Sequence, residues 1–63
     1  MQTFEIRLMA EDGSTILIHL TVCNSVHEAR ERADAINNVS YERYEIWRGA
    51  RKVADGTNSG RVA

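Results

Sequence analysis

The chain has 63 residues, which is enough for one small domain. Its net charge is −1, which argues against a surface that is basic throughout. Its single cysteine, Cys23, excludes an intramolecular disulfide and favours a reducing compartment. The longest apolar run, Ile16-Leu17-Ile18, is far too short to span a membrane as a helix, and no signal-peptide pattern opens the chain. We therefore predict a cytoplasmic protein with no membrane partner.

Two stretches of alternating apolar and polar residues predict a β-hairpin over residues 1–22. The apolar positions are Phe4, Ile6, Leu8 and Ala10 in the first strand, and Ile16, Ile18, Leu20 and Val22 in the second. The segment between them, Glu11-Asp12-Gly13-Ser14, has the composition of a tight turn.

The loop length sets the predicted register. A two-residue loop would place Leu8 opposite Leu17 and Ile6 opposite His19, which mixes apolar and polar residues on one face. A three-residue loop with Gly13 in the left-handed conformation places Leu8 opposite Ile16, Ile6 opposite Ile18 and Phe4 opposite Leu20. We predict the three-residue loop, because it makes the core face wholly apolar.

A helix follows the hairpin. Ser25 and Glu28 have the spacing of a capping box. Apolar residues then recur at helical spacing and form the predicted buried stripe: Val26, Ala29, Ala33 and Ile36.

Residues 41–48 read as a third strand, with Tyr44 and Ile46 facing the helix. Gly49-Ala50 fits a two-residue turn that pairs Ile46 with Val53 and Trp47 with Lys52 in a short fourth strand over residues 51–54. The predicted fold is therefore α+β, a single ββαβ(β) domain over residues 1–55 with one helix on a sheet of order 2-1-3(-4). Residues 56–63 are predicted to form a flexible tail.

The sequence contains few residues of the types that catalyse reactions or bind metals. Cys23, His19 and His27 do not make the four-ligand set of a closed zinc site. Cys23 with a nearby histidine would be a minimal nucleophile–base pair, but nothing supplies an orienting group, an oxyanion hole or a pocket. None of the four glycines lies in a nucleotide-binding pattern. We predict no metal, no cofactor and no enzymatic activity.

The predicted open face of the sheet carries the main functional signal, since one helix covers only one side. Large apolar side chains rimmed by polar groups on an uncovered face are typical of association surfaces. We predict a small binding or regulatory module that self-associates as a homodimer, or binds another protein, through this face. Its predicted contact residues are Met9, Leu17 and Trp47, with Arg7 and Arg43 at the rim.

The alternative is nucleic-acid binding. Residues 43–63 carry a net charge of +3, with five basic residues against Glu45 and Asp55, and the segment 43–52 combines basic and aromatic side chains. The residues that would bind are Arg43, Trp47, Arg48, Arg51 and Lys52. Acidic residues on the same face and the overall charge of −1 favour the self-association hypothesis over this one.

Several segments, including Phe4-Glu5-Ile6-Arg7, Ala10-Glu11-Asp12-Gly13-Ser14, Ala29-Arg30-Glu31-Arg32-Ala33 and Tyr44-Glu45-Ile46-Trp47-Arg48-Gly49, resemble those of short uncharacterised bacterial proteins of the kind found in α-proteobacteria. The resemblance spans residues 4–54 and implies a bacterial cytoplasmic protein. It implies no activity and no site residues.

Overall fold

Four strands and one helix form the protein in the order ββαββ, in a computed structural model that describes residues 1–36 and 39–58. The elements are β1 (Gln2–Met9), β2 (Thr15–Cys23), α1 (Val26–Ala35), β3 (Arg43–Arg48) and β4 (Arg51–Thr57). The strands form one sheet of order β2-β1-β3-β4, in which every neighbouring pair is antiparallel. The predicted α+β class and strand order are confirmed.

The turn between β1 and β2 has the predicted three-residue form. The Ala10 N–H donates to the Ser14 carbonyl at 2.8 Å, the Gly13 N–H donates to the Ala10 carbonyl at 2.9 Å, and Gly13 has φ +89°. The Asp12 carboxylate accepts from the Ser14 hydroxyl at 2.7 Å and from the Ser14 N–H at 2.9 Å. These bonds favour the charged carboxylate and lower the pKa of Asp12. In the strand pair nearest the turn, Met9 lies opposite Thr15, which is the register that the three-residue loop requires.

The register beyond the turn differs from the prediction because of a second irregularity, a bulge between Met9 and Leu8. Thr15 pairs with Met9, but Leu17 pairs with Leu8, so Ile16 is an extra residue in β2. One inserted residue moves every later side chain of a strand to the other face. The predicted opposition of Leu8 to Ile16, Ile6 to Ile18 and Phe4 to Leu20 is therefore wrong.

Two of the three observed β2 partners of the β1 core residues are more polar than the predicted partners. Phe4 lies opposite Thr21, Ile6 opposite His19 and Leu8 opposite Leu17. Leu17 is thus on the helix-covered side of the sheet, and its predicted place on the open face is wrong. The predicted core residues Ile18, Leu20 and Val22 are on the open face, and they are exposed.

The helix begins with the predicted cap. Ser25 is the N-cap, and its hydroxyl accepts from the Glu28 N–H at 3.2 Å. The Glu28 carboxylate reaches back to the Asn24 N–H at 2.9 Å, which satisfies a second backbone donor. The acidic side chain also lies in the first turn, where the helix dipole favours negative charge.

The core lies between α1 and the central strands. Ala29 and Ala33 are fully buried, and their small side chains let the helix approach the sheet closely. Val26 and Ile36 are partly buried at the two ends of the predicted stripe. The sheet contributes five large buried side chains: Phe4, Ile6, Leu8, Tyr44 and Ile46. The loop before β3 adds Tyr41, whose hydroxyl donates to the Ala33 carbonyl at 3.3 Å.

The β3–β4 hairpin has the predicted turn at Gly49 and Ala50. Gly49 has φ +63°, a backbone conformation that favours glycine, and Trp47 pairs with Lys52 as predicted. A bulge follows, so Ile46 lies opposite Ala54 and not Val53. The strand β3 begins at Arg43, two residues later than predicted.

Strand β4 is longer than predicted and runs to Thr57. Tyr44 lies opposite Gly56 in this extension. Beyond it the Asn58 N–H donates to the Glu42 carbonyl at 2.9 Å, and the Asn58 amide donates to the Tyr41 carbonyl at 2.8 Å. The first residues of the predicted tail are therefore paired in the sheet, and residues 59–63 lie outside the described part of the chain.

Candidate association surface

The open face of the sheet, on the side opposite α1, brings together most of the predicted contact residues. Met9 lies opposite Arg43, and Arg7 lies two residues away on β1, opposite Glu45 on the same face. Trp47 follows on β3, opposite Glu5. Leu17 is absent from this group because of the bulge at Ile16.

An apolar strip of three β2 residues, Ile18, Leu20 and Val22, occupies one side of the open face; we call it the β2 strip. These side chains lie opposite Arg7, Glu5 and Thr3 of β1, respectively. They are 53%, 64% and 50% exposed, so each leaves about half or more of its surface in water. Apolar side chains in one contiguous row at this exposure are typical of surfaces that become covered in an assembly.

Trp47, by contrast, is held by contacts within the chain. The Arg7 guanidinium lies 4.2 Å from the centre of the Trp47 ring and forms an ion pair with Glu5. The indole N–H donates to the Glu45 carboxylate at 3.0 Å. The ring is therefore partly covered, and its single polar atom has a partner.

The charged side chains beside Trp47 also have partners. Lys52 Nζ lies 3.8 Å from a Glu45 carboxylate oxygen and 3.4 Å from one of Asp55. Surface pairs of this kind contribute little stability, but they leave few charges free for a partner. The open face thus has an apolar half on β2 and a half on β3 and β4 in which Glu45, Lys52 and Asp55 are paired internally.

The predicted nucleic-acid residues do not share one surface. Lys52 and Arg43 lie on the open face with Trp47. Arg48 and Arg51 form the strand pair next to Trp47 and Lys52, so their side chains lie on the other side of the sheet. Arg48 also donates to the Gln2 side chain at 2.8 Å. The basic groups are divided between two faces, which weakens a phosphate-binding surface.

A shallow depression lies at the end of the β3–β4 pair. Its charged lining residues, Arg43, Lys52, Glu45 and Asp55, provide two cations and two carboxylates. Because these charges balance and Lys52 already contacts both carboxylates, the depression has no net preference for an ion of either sign.

The chemistry-bearing side chains outside the sheet face are dispersed. Cys23 is 1% exposed, and its thiol donates to the Ser25 carbonyl at 3.5 Å. His27 lies on the helix surface, 3.7 Å from Glu31. Across residues 1–36 and 39–58, no three metal-ligating side chains cluster, and no helix has the length and apolar character needed to cross a membrane.

Comparisons with protein-family models, with curated proteins and with solved structures find no match for this chain. The resemblance to short bacterial proteins therefore stays a prediction.

The sequence contained a signal for the β2 strip that the alternation obscured. Ile16, Leu17 and Ile18 are consecutive apolar residues, so this part of β2 has an apolar side chain for either face. A strand of that kind specifies its register weakly. The whole of β2 also lacks Asp, Glu, Lys and Arg, which is unusual for a strand with one exposed face.

Proposed function

We propose that this protein is a small non-enzymatic binding module that self-associates as a homodimer through the β2 strip. The observation that carries the proposal is the exposure of Ile18, Leu20 and Val22, at 53%, 64% and 50%, in one row on an uncovered face. Covering an exposed apolar side chain is worth about 25 cal/mol per Å². A second copy offers the same row, as a two-fold interface requires.

The size of the domain supports the proposal. A chain of 63 residues buries a limited apolar core, and in this one five large aliphatic side chains of β2 are exposed, including the three of the β2 strip. Association through those side chains adds apolar burial that the isolated domain lacks. With its single cysteine, the module is best suited to a reducing compartment such as the cytoplasm.

The test is sedimentation equilibrium over a wide concentration range, at low and high salt, on wild type and two matched variants. Leu20→Thr removes a side chain of the β2 strip. Leu17→Thr makes the same change in the same strand on the opposite face, at a side chain that is 40% exposed. Threonine is well accommodated in strands, so both variants are expected to fold.

We expect a wild-type dimer at both salt concentrations, because apolar contacts are not screened. Leu20→Thr should raise the dissociation constant at least tenfold, whereas Leu17→Thr should have a much smaller effect. A wild type that stays monomeric at high concentration would overturn the proposal. Equal weakening by the two variants would show that the β2 strip is not the contact.

A further inference from the structure

The two edges of the sheet differ in how they are protected against pairing with another strand. The edge strand β4 carries Arg51, Lys52 and Asp55. The other edge strand, β2, is nine residues long and has neither proline nor any Asp, Glu, Lys or Arg. Proteins usually protect sheet edges with charges, prolines, bulges or covering segments. The centre of β2 has none of the first three, and no segment within residues 1–36 and 39–58 covers it.

The backbone bonding fixes which residues of β2 face this free edge. The Met9 carbonyl accepts from the Glu42 N–H at 2.9 Å, so Met9 turns its carbonyl toward β3. In an antiparallel sheet, successive residues of a strand bond to alternate sides, so Arg7 and Glu5 also bond toward β3. Their partners in β2, Ile18 and Leu20, therefore direct their backbone N–H and C=O groups outward, past the edge.

The two ends of the β2 edge are closed. At one end, the bulge at Ile16 interrupts the regular ladder. At the other end, the Arg32 guanidinium of α1 donates to the Val22 carbonyl at 3.0 Å and to the Thr21 hydroxyl at 2.7 Å. The open part of the edge is thus limited to Ile18 and Leu20, which lie symmetrically on either side of His19.

We propose that two copies of the chain join edge to edge through β2, antiparallel, with the two-fold axis at His19. This inference rests on the proposed self-association and specifies its geometry. Ile18 of one copy lies opposite Leu20 of the second, and the two residues exchange a pair of N–H to C=O bonds. The symmetry repeats that pair, so four backbone hydrogen bonds form.

Other registers that keep the two helices on one side of the joined sheet require backbone groups of β2 that are not available for a regular ladder. An axis at Ile18 brings the bulged Ile16 into the ladder. An axis at Leu20 or Thr21 requires the Val22 carbonyl, which already accepts from Arg32. Only the axis at His19 pairs the two outward-facing residues with each other.

The proposed geometry also places the side chains favourably. Ile18 and Leu20 of the two copies become cross-strand neighbours, and the two β2 strips merge into one apolar band. The joined sheet has eight strands, with both helices on the other side. Trp47 is separated from the new contact by β1, so it does not touch the second copy.

Disulfide crosslinking tests the axis directly. In this geometry His19 is the only β2 residue that lies opposite itself, in a non-hydrogen-bonded pair with Cα atoms about 4.5 Å apart. That distance suits a disulfide. In a Leu17→Cys variant, the two introduced thiols would lie four residues apart along the strands, about 13 Å, which is too far. The native Cys23 is buried, and wild type provides the baseline.

We expect His19→Cys to form a covalent dimer under oxidised glutathione at concentrations where wild type is a dimer. Leu17→Cys and wild type should stay uncrosslinked under the same conditions. His19 is exposed, so its replacement is expected to leave the fold intact, which circular dichroism verifies. Trp47→Ala should leave the dissociation constant unchanged, whereas packing of two open faces would make it rise.

The outcomes separate the two proposals. If wild type is a dimer but His19→Cys does not crosslink, or crosslinks no faster than Leu17→Cys, the edge geometry is overturned and self-association stands. A dimer that Trp47→Ala dissociates would also overturn the edge geometry, in favour of packing between open faces. If wild type is monomeric at high concentration, both proposals fail.

Discussion

The ring of Tyr44 lies against the backbone of Gly56, its partner in the neighbouring strand. A Cβ atom placed on Gly56 would come within 2.5 Å of the Tyr44 hydroxyl oxygen and 2.6 Å of Cζ. Tyr44 is 3% exposed, so the ring fills the space that a side chain at residue 56 would need. An aromatic ring over a strand glycine compensates for the missing side chain. This contact accounts for a glycine inside the paired part of β4.

Gly56→Ala should therefore destabilise the protein by about 1–3 kcal/mol, the usual cost of forcing extra atoms into a packed site. Urea denaturation measures the effect. In a Tyr44→Leu background, where the clashing ring atoms are missing, the same change should cost much less, so the two effects should not be additive. A stabilising Gly56→Ala, as expected where glycine only adds flexibility, would contradict the close contact.

Tyr44 should make the protein less stable at alkaline pH. Burial raises the pKa of the Tyr44 hydroxyl above its ordinary value of about 10, and the negative charge of Asp34 raises this pKa further. The contribution to stability is complete below the unfolded pKa and is lost as the pH rises through the folded pKa, because the unfolded state releases its proton first. Urea midpoints of wild type and Tyr44→Phe, compared from neutral to alkaline pH, test this.

The expected result is a steeper alkaline loss of stability in wild type than in Tyr44→Phe, which has no proton to release at this site. The tyrosinate absorbance that wild type gains over Tyr44→Phe, recorded on the same samples, should appear at higher pH than that of free tyrosine. Parallel stability profiles for the two proteins would contradict a raised Tyr44 pKa.

Deletion of Ile16 should preserve the fold. Without this residue Leu17 follows Thr15 directly, and the ladder passes from the Met9–Thr15 pair to the Leu8–Leu17 pair without a bulge. The faces of residues 17–23 stay as they are. We expect NMR contacts between the Cα protons of Glu5 and Leu20 to persist, with stability equal to or above that of wild type.

The matched control for that deletion is removal of Leu20, from the regular part of β2. In the shortened strand, the residues on one side of the deletion must turn their side chains to the opposite face of the sheet. We therefore expect a marked loss of stability. If both deletions were equally harmful, the bulge would have a structural role beyond its extra residue.

Arg32 should stabilise the junction of α1 with β2. Its guanidinium donates to the Thr21 hydroxyl at 2.7 Å and to the Val22 carbonyl at 3.0 Å. Arg32→Leu keeps the aliphatic part of the side chain but removes both bonds, and we expect a loss of about 1 kcal/mol in the free energy of unfolding. Arg30→Leu, on the same helix, should change it by less than about 0.5 kcal/mol. Equal effects would show that charge, and not these bonds, accounts for the loss.

The local features that the sequence predicted correctly are those that neighbouring residues determine alone. The capping box at Ser25 and Glu28 and the glycine turn at Gly13 follow from side-chain chemistry over three or four positions. The strand order followed from the placement of one helix after one hairpin. Each of these depends on few residues, and each is confirmed.

The register of β2 was predicted wrongly because it depends on the whole domain. Period-two alternation assumes that no residue is inserted, whereas the bulge at Ile16 adds one. The observed register buries two small residues, Thr21 and Cys23, and gives Arg32 a hydroxyl partner. These gains arise only when the helix is in place, so the strand sequence does not display them. The length of β4 was missed for a similar reason, since Gly56 is suited to a strand only beneath Tyr44.

The unequal edges of this sheet limit how far any assembly can grow. A strand added to β2 meets uncharged side chains and outward-facing backbone groups, but a strand added to β4 meets Arg51, Lys52 and Asp55. Polymerisation into fibres requires two edges that accept strands, one at each end of every subunit. In the proposed assembly, a chain with one receptive edge forms a closed pair, and the charges of β4 stop growth at two copies.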